Sequence, residues 1–143
     1  MGRRRQWHNG TGTLRVTGPN APGTVPGQDA GPCPGPVPVT VPVEIAASYG
    51  TRRRGLLGRD GIAGAILLTP CSSVHTFRMR FTIDVAYLDK ELRVVDVHTM
   101  KPGRLGRPRL RARHVLEAEG GAMAEWGVRP GVQLSVETAA TTA

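Results

Sequence analysis

Apolar and polar residues alternate most regularly in the stretch Val74 to Asp89, with shorter alternating runs before and after it. From Thr82 to Asp89 the period of two predicts a strand with Ile83, Val85 and Tyr87 on one face. Thr82, Asp84, Ala86 and Leu88 fall on the other face. Asp89 to Leu92 supplies a turn, and Arg93 to Met100 returns as the partner strand of a β-hairpin. Its register decides where the acids go. Pairing Leu88 with Leu92 sets Asp84 opposite Asp96, a like-charge pair that costs stability; pairing Leu88 with Arg93 separates them. The second register is therefore expected, and no paired-carboxylate site.

The remaining elements are shorter. Thr11 to Thr17 alternates well enough for a first strand, after a flexible start over residues 1–10. The segment 18–38 and the following Val39 to Pro42 together hold eight of the twelve prolines, so 18–38 reads as a disordered loop that includes Cys33. Val39 to Ala47 is a strand with Val41, Val43 and Ile45 on one face and Glu44 on the other; Pro42 argues for an edge or strand-start position. Ser48 to Arg59 changes period to a short helix capped by Ser48, in which Arg52, Arg53 and Arg54 would oppose the dipole. Gly64 to Thr69 is an apolar strand ended by Pro70, and His114 to Glu119 another short one. Gly121 to Trp126 gives a helical turn or two with Ala122, Met123 and Trp126 inward, stopped by Gly127. Val132 to Val136 is the last strand, and 138–143 a flexible tail. The compact domain is thus 39–137, joined by the strand at 11–17.

Composition narrows the class. A chain of 143 residues is one domain by size, and at 4% aromatic its core has to be aliphatic. The apolar run Ile62 to Leu68 is too short to cross a bilayer, and Gln6 to Gly10 stand where a secretory signal needs apolar residues. A cytoplasmic protein with free thiols at Cys33 and Cys71 is expected. The net charge of +8 attracts polyanions without specificity, but it is carried by 17 arginines and 2 lysines, a bias that base composition of the coding sequence can produce. Aromatic residues that would stack on bases are scarce.

In order along the chain, Val43-Glu44-Ile45-Ala46, Arg54-Gly55-Leu56-Leu57-Gly58-Arg59 and Ile83 to Asp89 resemble domain of unknown function 192, a bacterial and archaeal family. Val115-Leu116-Glu117 and Gly127-Val128-Arg129-Pro130-Gly131 continue the resemblance, which covers residues 40–137. It implies a compact β-rich domain with minor helices and no established activity. Within that pattern His75-Thr76-Phe77 marks one branch of the family, Arg78 stands where a small residue is common, and Thr82 where proline is. The expected fold is β-rich α+β, a barrel-like or strongly curved antiparallel sheet with one or two short helices.

Candidate chemistry centres on Asp84. A carboxylate between Ile83 and Val85 is costly unless it is paired or hydrogen-bonded, by Arg80, Arg54 or backbone amides. The leading expectation is a pocket near His75 and Asp84, with Arg80, Glu117 and Arg54, that binds a small polar or anionic ligand or a partner protein. A hydrolase-type enzyme using Asp84 and His75 is the second. Polyanion binding is the third: residues 101–113 carry Lys101, Arg104, Arg107, Arg109, Arg111 and Arg113 with no acid. Cys71 and His75 are four apart and His98 and His114 could approach them. No metal is expected, however, since there is no second close ligand pair and neither Cys-x-x-Cys nor His-x3-His occurs. No cofactor is expected either, because the glycine-rich turns lack Gly-Lys-Ser/Thr.

Overall fold

A computed structural model describes residues 5–17 and 39–139, so the proline-rich loop 18–38 expected from composition lies outside the described residues. Seven strands and two short helices follow one another: β1 (Gly10–Thr17), β2 (Val39–Ala46), α1 (Tyr49–Arg54), β3 (Ala65–Leu68), β4 (Ile83–Leu88), β5 (Val94–Met100), β6 (His114–Glu119), α2 (Ala122–Trp126) and β7 (Gln133–Thr138). They form one sheet in the order β5-β4-β6-β3-β2-β1-β7. All neighbours are antiparallel except β2 and β3, a parallel pair that corrects the purely antiparallel expectation. The sheet curls until its two ends meet. The Val94 amide donates to the Val132 carbonyl (2.9 Å) and the Leu134 amide to the Leu92 carbonyl (3.0 Å), giving a half-barrel. No helix among the described residues is long and apolar enough to cross a membrane.

Curling gives the central strands two buried faces. Inside the curl, Leu14, Val43, Leu67, Leu88, Leu116, Leu134 and the α2 residue Met123 pack together. Each such side chain removed from water contributes roughly 1.5–3 kcal/mol. On the outer face Ile66, Val85, Tyr87, Val115 and Met100 are covered by the segments after α1, β3 and β5, through Leu56, Val74 and Ala112. β6 lies in the interior of the sheet, between β4 and β3, and is buried over five of its six residues. Trp7 already packs against the inner cluster and meets the His114 ring edge-on at 5.5 Å, so the described part of the expected flexible start is seated.

Three details differ from expectation for physical reasons. β2 is not an edge strand, because β1 and β3 flank it. Pro42 is tolerated because its carbonyl is turned toward Gly64, which puts its ring nitrogen on the same side, ahead of the first β2–β3 pair at Val43 and Ala65. No ladder amide is lost there. Helix α1 stops at Arg54, since Gly55 takes a positive φ of 44°, and the three arginines thus occupy its last turn. There they complement the dipole instead of opposing it. The β4–β5 hairpin separates the carboxylates as expected but is shifted further, with Leu88 opposite Val94, Asp84 opposite Thr99 and a bulge beyond Tyr87.

The departure at Arg78 also has a structural reason. Thr76 to Met79 form a turn closed by the Met79 amide on the Thr76 carbonyl (3.2 Å), with Arg78 at φ 63°. An L-residue with a Cβ costs about 1 kcal/mol in that left-handed region, where glycine is free. Arg78→Gly is expected to raise the unfolding free energy by about 0.5–1 kcal/mol in chemical denaturation.

Candidate functional site

Asp84 and Glu117 are the two carboxylates that the central strands bury, at 3% and 5% exposure, and their surroundings are opposite. Asp84 alternates with Ile83 and Val85 on β4 and so points to the inner face, beside Ala86 and Leu88. One oxygen accepts the Thr99 hydroxyl (2.7 Å), and the other accepts the backbone amides of Gly121 (2.9 Å) and Met123 (3.1 Å). Helix α2 begins at two glycines and has no side-chain cap of its own. Asp84 supplies that cap from a neighbouring strand, satisfying amides that the helix leaves open and placing negative charge at its positive end. Its bonds are internal to the fold. Arg80, which was expected to satisfy it, is exposed and lies 3.4 Å from Asp60 instead.

Glu117 sits one face over. On β6 it stands between Ile66 of β3 and Val85 of β4, so its flanks are aliphatic. No described residue donates a hydrogen bond to its carboxyl, and burial pushes that group up to about 7. A carboxyl with this environment is half neutral near physiological pH, able to donate or to accept a proton. It lines a small cavity of about 90 Å³ on the outer face. Gly55 borders the same space: a Cβ there would lie 3.8 Å from the Glu117 Oε2 atom, so the turn after α1 lies directly over the acid.

Three elements bring the other groups to this cavity. The last turn of α1 contributes Arg52, Arg53 and Arg54. Arg52 is half-buried and donates to the Thr69 carbonyl (3.3 Å), which fixes its side chain near the opening. The segment after β3 contributes Cys71 and His75. Burial pushes the Cys71 thiol up, and the neighbouring Glu117 charge adds to this more than Arg52 offsets. A thiol held protonated is a poorer nucleophile than a thiolate. His75 is exposed and stacks on the Phe77 ring at 5.3 Å.

Of the five residues expected to form one site, the structure therefore brings together Glu117, His75 and Arg54, and it separates Asp84 and Arg80 from them. The expected pocket shared by His75 and Asp84 does not exist, because the two lie on opposite faces of the sheet. Among the described residues they share no site for the hydrolase-type reading. Arg52, Cys71 and Gly55 were not among the expected site residues; the arginine run was read only as the short helix after Ser48. His114, considered as a possible ligand, is buried on the inner face within 2.7 Å of the Thr69 hydroxyl, and His98 lies near Asp96. Among the described residues no three His, Cys, Asp or Glu side chains come together as a metal-binding set.

The basic segment forms a second hollow. Lys101, Arg104, Arg107 and Arg109 line a groove of about 520 Å³ with Tyr87, His98 and Leu105, whereas Arg111 and Arg113 do not reach it. The two cavities meet where His75 forms a β-bridge with Leu105. Between them Thr76, fully buried, donates its hydroxyl to the Lys101 carbonyl (2.6 Å) and accepts the Arg104 amide (2.8 Å). Its backbone amide donates to the Arg104 carbonyl and its carbonyl accepts the Gly103 amide, both at 2.7 Å. Together with the Gly106 amide on the Val74 carbonyl (2.8 Å) and the Arg109 amide on the Ser72 carbonyl (3.1 Å), these bonds hold the basic loop against the segment after β3.

Comparison with known proteins agrees with this architecture. The family model described as Uncharacterized ACR, domain of unknown function 192, matches residues 34–136. The UPF0127 protein PH1112 of Pyrococcus horikoshii is 38% identical over 82 residues, spanning 54% of this chain and 71% of that protein. The UPF0127 protein PYRAB11210 of Pyrococcus abyssi is 36% identical over 79 residues, 52% of this chain and 68% of that one. A crystal structure of a protein of unknown function from Novosphingobium aromaticivorans superposes with a TM-score of 0.66 at 17% identity, covering 86% of this chain and 83% of that one; at that identity the likeness is one of fold. None of these names states an activity. The matched stretch is well over half of the chain and spans β2 to β7, so this protein belongs to the family of domain of unknown function 192.

Proposed function

We propose that the protein binds the oxyanion end of a small polar ligand in the cavity above Glu117. The observation that carries the reading is a buried carboxyl without an internal partner in a cavity edged by arginines. No fully buried polar side-chain atom among the described residues lacks a partner, so the unbonded Glu117 oxygens reach the cavity. A largely desolvated acid there is open to a ligand that completes its bonding. In its neutral form Glu117 donates a hydrogen bond to a ligand oxygen, while Arg52 and Arg54 supply positive charge at the opening. The small volume suits a carboxylate- or phosphate-sized group and excludes a large ring system.

The test is an amide NMR titration of the full chain with acetate, inorganic phosphate and glycerol, at pH 6 and pH 8, either side of the Glu117 value of about 7. Acetate or phosphate is expected to shift Gly55, Cys71 and Glu117 saturably, about tenfold more weakly at pH 8, where a deprotonated Glu117 repels the anion. Arg54→Ala is expected to weaken binding further at both pH values. Saturable shifts absent at these positions, or equal at both pH values, would overturn the reading.

A further inference from the structure

The groove formed by the basic loop is chemically unlike the Glu117 cavity. Lys101, Arg104 and Arg107 project into it, and among the described residues no carboxylate lies within ion-pair distance of any of them. Three like charges in one short loop repel each other, and the loop holds them there through the four bonds to Thr76. Arg109 is different. It donates from Nε (3.1 Å) and Nη2 (3.0 Å) to the Asp96 carboxylate and lies 4.8 Å over the Tyr87 ring, so it is a fixed, neutralised wall. Beside the cations Leu105 is 72% exposed, and Met100 lies at the groove floor. Unpaired cations next to uncovered apolar surface, in one concavity, call for a ligand with both characters.

We infer that this groove binds a small amphiphilic organic anion, with a phosphate or carboxylate head on Lys101, Arg104 and Arg107 and a flat apolar body along Leu105 and Met100. Its volume of about 520 Å³ falls in the usual range of small-molecule sites. A nucleic acid is disfavoured by two observations. Arg111 and Arg113 lie outside the groove, with the fully exposed Leu110 next to them, so the cations do not form a continuous track. The Tyr87 ring is 1% exposed and covered by Arg109, so it offers no face for a base to stack on, and the His98 ring is held against Asp96 (3.2 Å). The inference is independent of the Glu117 cavity and stands or falls separately from it.

Amide NMR titration of the full chain with 1-naphthyl phosphate, 1-naphthoate, 1-naphthol and inorganic phosphate tests it. At least one naphthyl anion is expected to shift residues 98–109 saturably and to bind about tenfold more tightly than naphthol or inorganic phosphate. The tighter of the two anions identifies the head group. Arg104→Glu with Arg107→Glu, both at exposed positions, is expected to weaken that anion by about tenfold or more, and the milder Arg104→Gln with Arg107→Gln to weaken it less. Absence of saturable shifts with both anions, or binding unchanged in both double variants, overturns the inference. So does tighter binding of a single-stranded RNA oligonucleotide that is lost on replacing Arg111 and Arg113, which would make the segment a polyanion surface.

Discussion

Asp84→Ala lowers the unfolding free energy by about 2–4 kcal/mol, a large loss for a single polar substitution. The substitution strands the Thr99 hydroxyl and the Gly121 and Met123 amides, the last two at the start of a helix with no other side-chain cap. The Met123 amide is buried and costs about 1–3 kcal/mol without an acceptor, whereas Thr99 and Gly121 are exposed and turn to water at smaller cost. Asp84→Asn is much milder, at about 1–2 kcal/mol, because its amide oxygen can accept from the two backbone amides while its NH₂ group turns to the Thr99 hydroxyl. Urea denaturation of both variants checks the difference. Ligand binding at the Glu117 cavity is expected to be unchanged in Asp84→Asn, since the two groups lie on opposite faces of the sheet. A large loss of binding with intact stability would return Asp84 to the site.

Glu117→Gln has the opposite effect. The folded carboxyl stands at about 7 against an ordinary 4.5, so between these values the folded protein holds a proton that the unfolded chain releases. Stability from this group is complete below pH 4.5, falls as pH rises, and is lost above about pH 7. The shift corresponds to about 3 kcal/mol, and glutamine, neutral throughout, avoids it. The variant is therefore expected to be more stable than the parent by about 3 kcal/mol at pH 8 and nearly equal to it at pH 4. Oxyanion binding at the cavity is expected to lose its pH dependence in the same variant. His114 works in the other direction: burial holds its imidazole below its ordinary value, so its contribution is lost as pH falls through and below the mid-6 range. Comparing Glu117→Gln with the parent protein over the same pH range removes the His114 contribution from the difference.

Much of the fold was legible because the period-two pattern is strong where one strand face is buried. Val41, Val43 and Ile45 fell on one face as expected, and the stop at Gly127 agrees with its φ of 75°. What the pattern could not give was order across the sheet. Nothing local to His114–Glu119 says that it becomes an interior strand flanked on both sides, and that placement turns Glu117 from a half-exposed acid into a buried one. The same limit misassigned Asp84. Its burial among aliphatics was readable from Ile83 and Val85, but its partners come from β5 and α2, far along the chain. A buried carboxylate signals that bonds are needed; only the tertiary structure distinguishes one the fold satisfies from one it leaves open. The arginine run was misread for a smaller reason, the early stop that Gly55 imposes on α1.

The comparison of the two acids can be decided by following the Glu117 side-chain carboxyl by ¹³C NMR in the unmodified protein from pH 4 to pH 9. A midpoint near 7 is the result that burial without an internal partner requires. A midpoint close to 4.5 would mean that water or a neighbouring cation already satisfies this carboxylate, and the cavity above it would lose its claim to be the binding site.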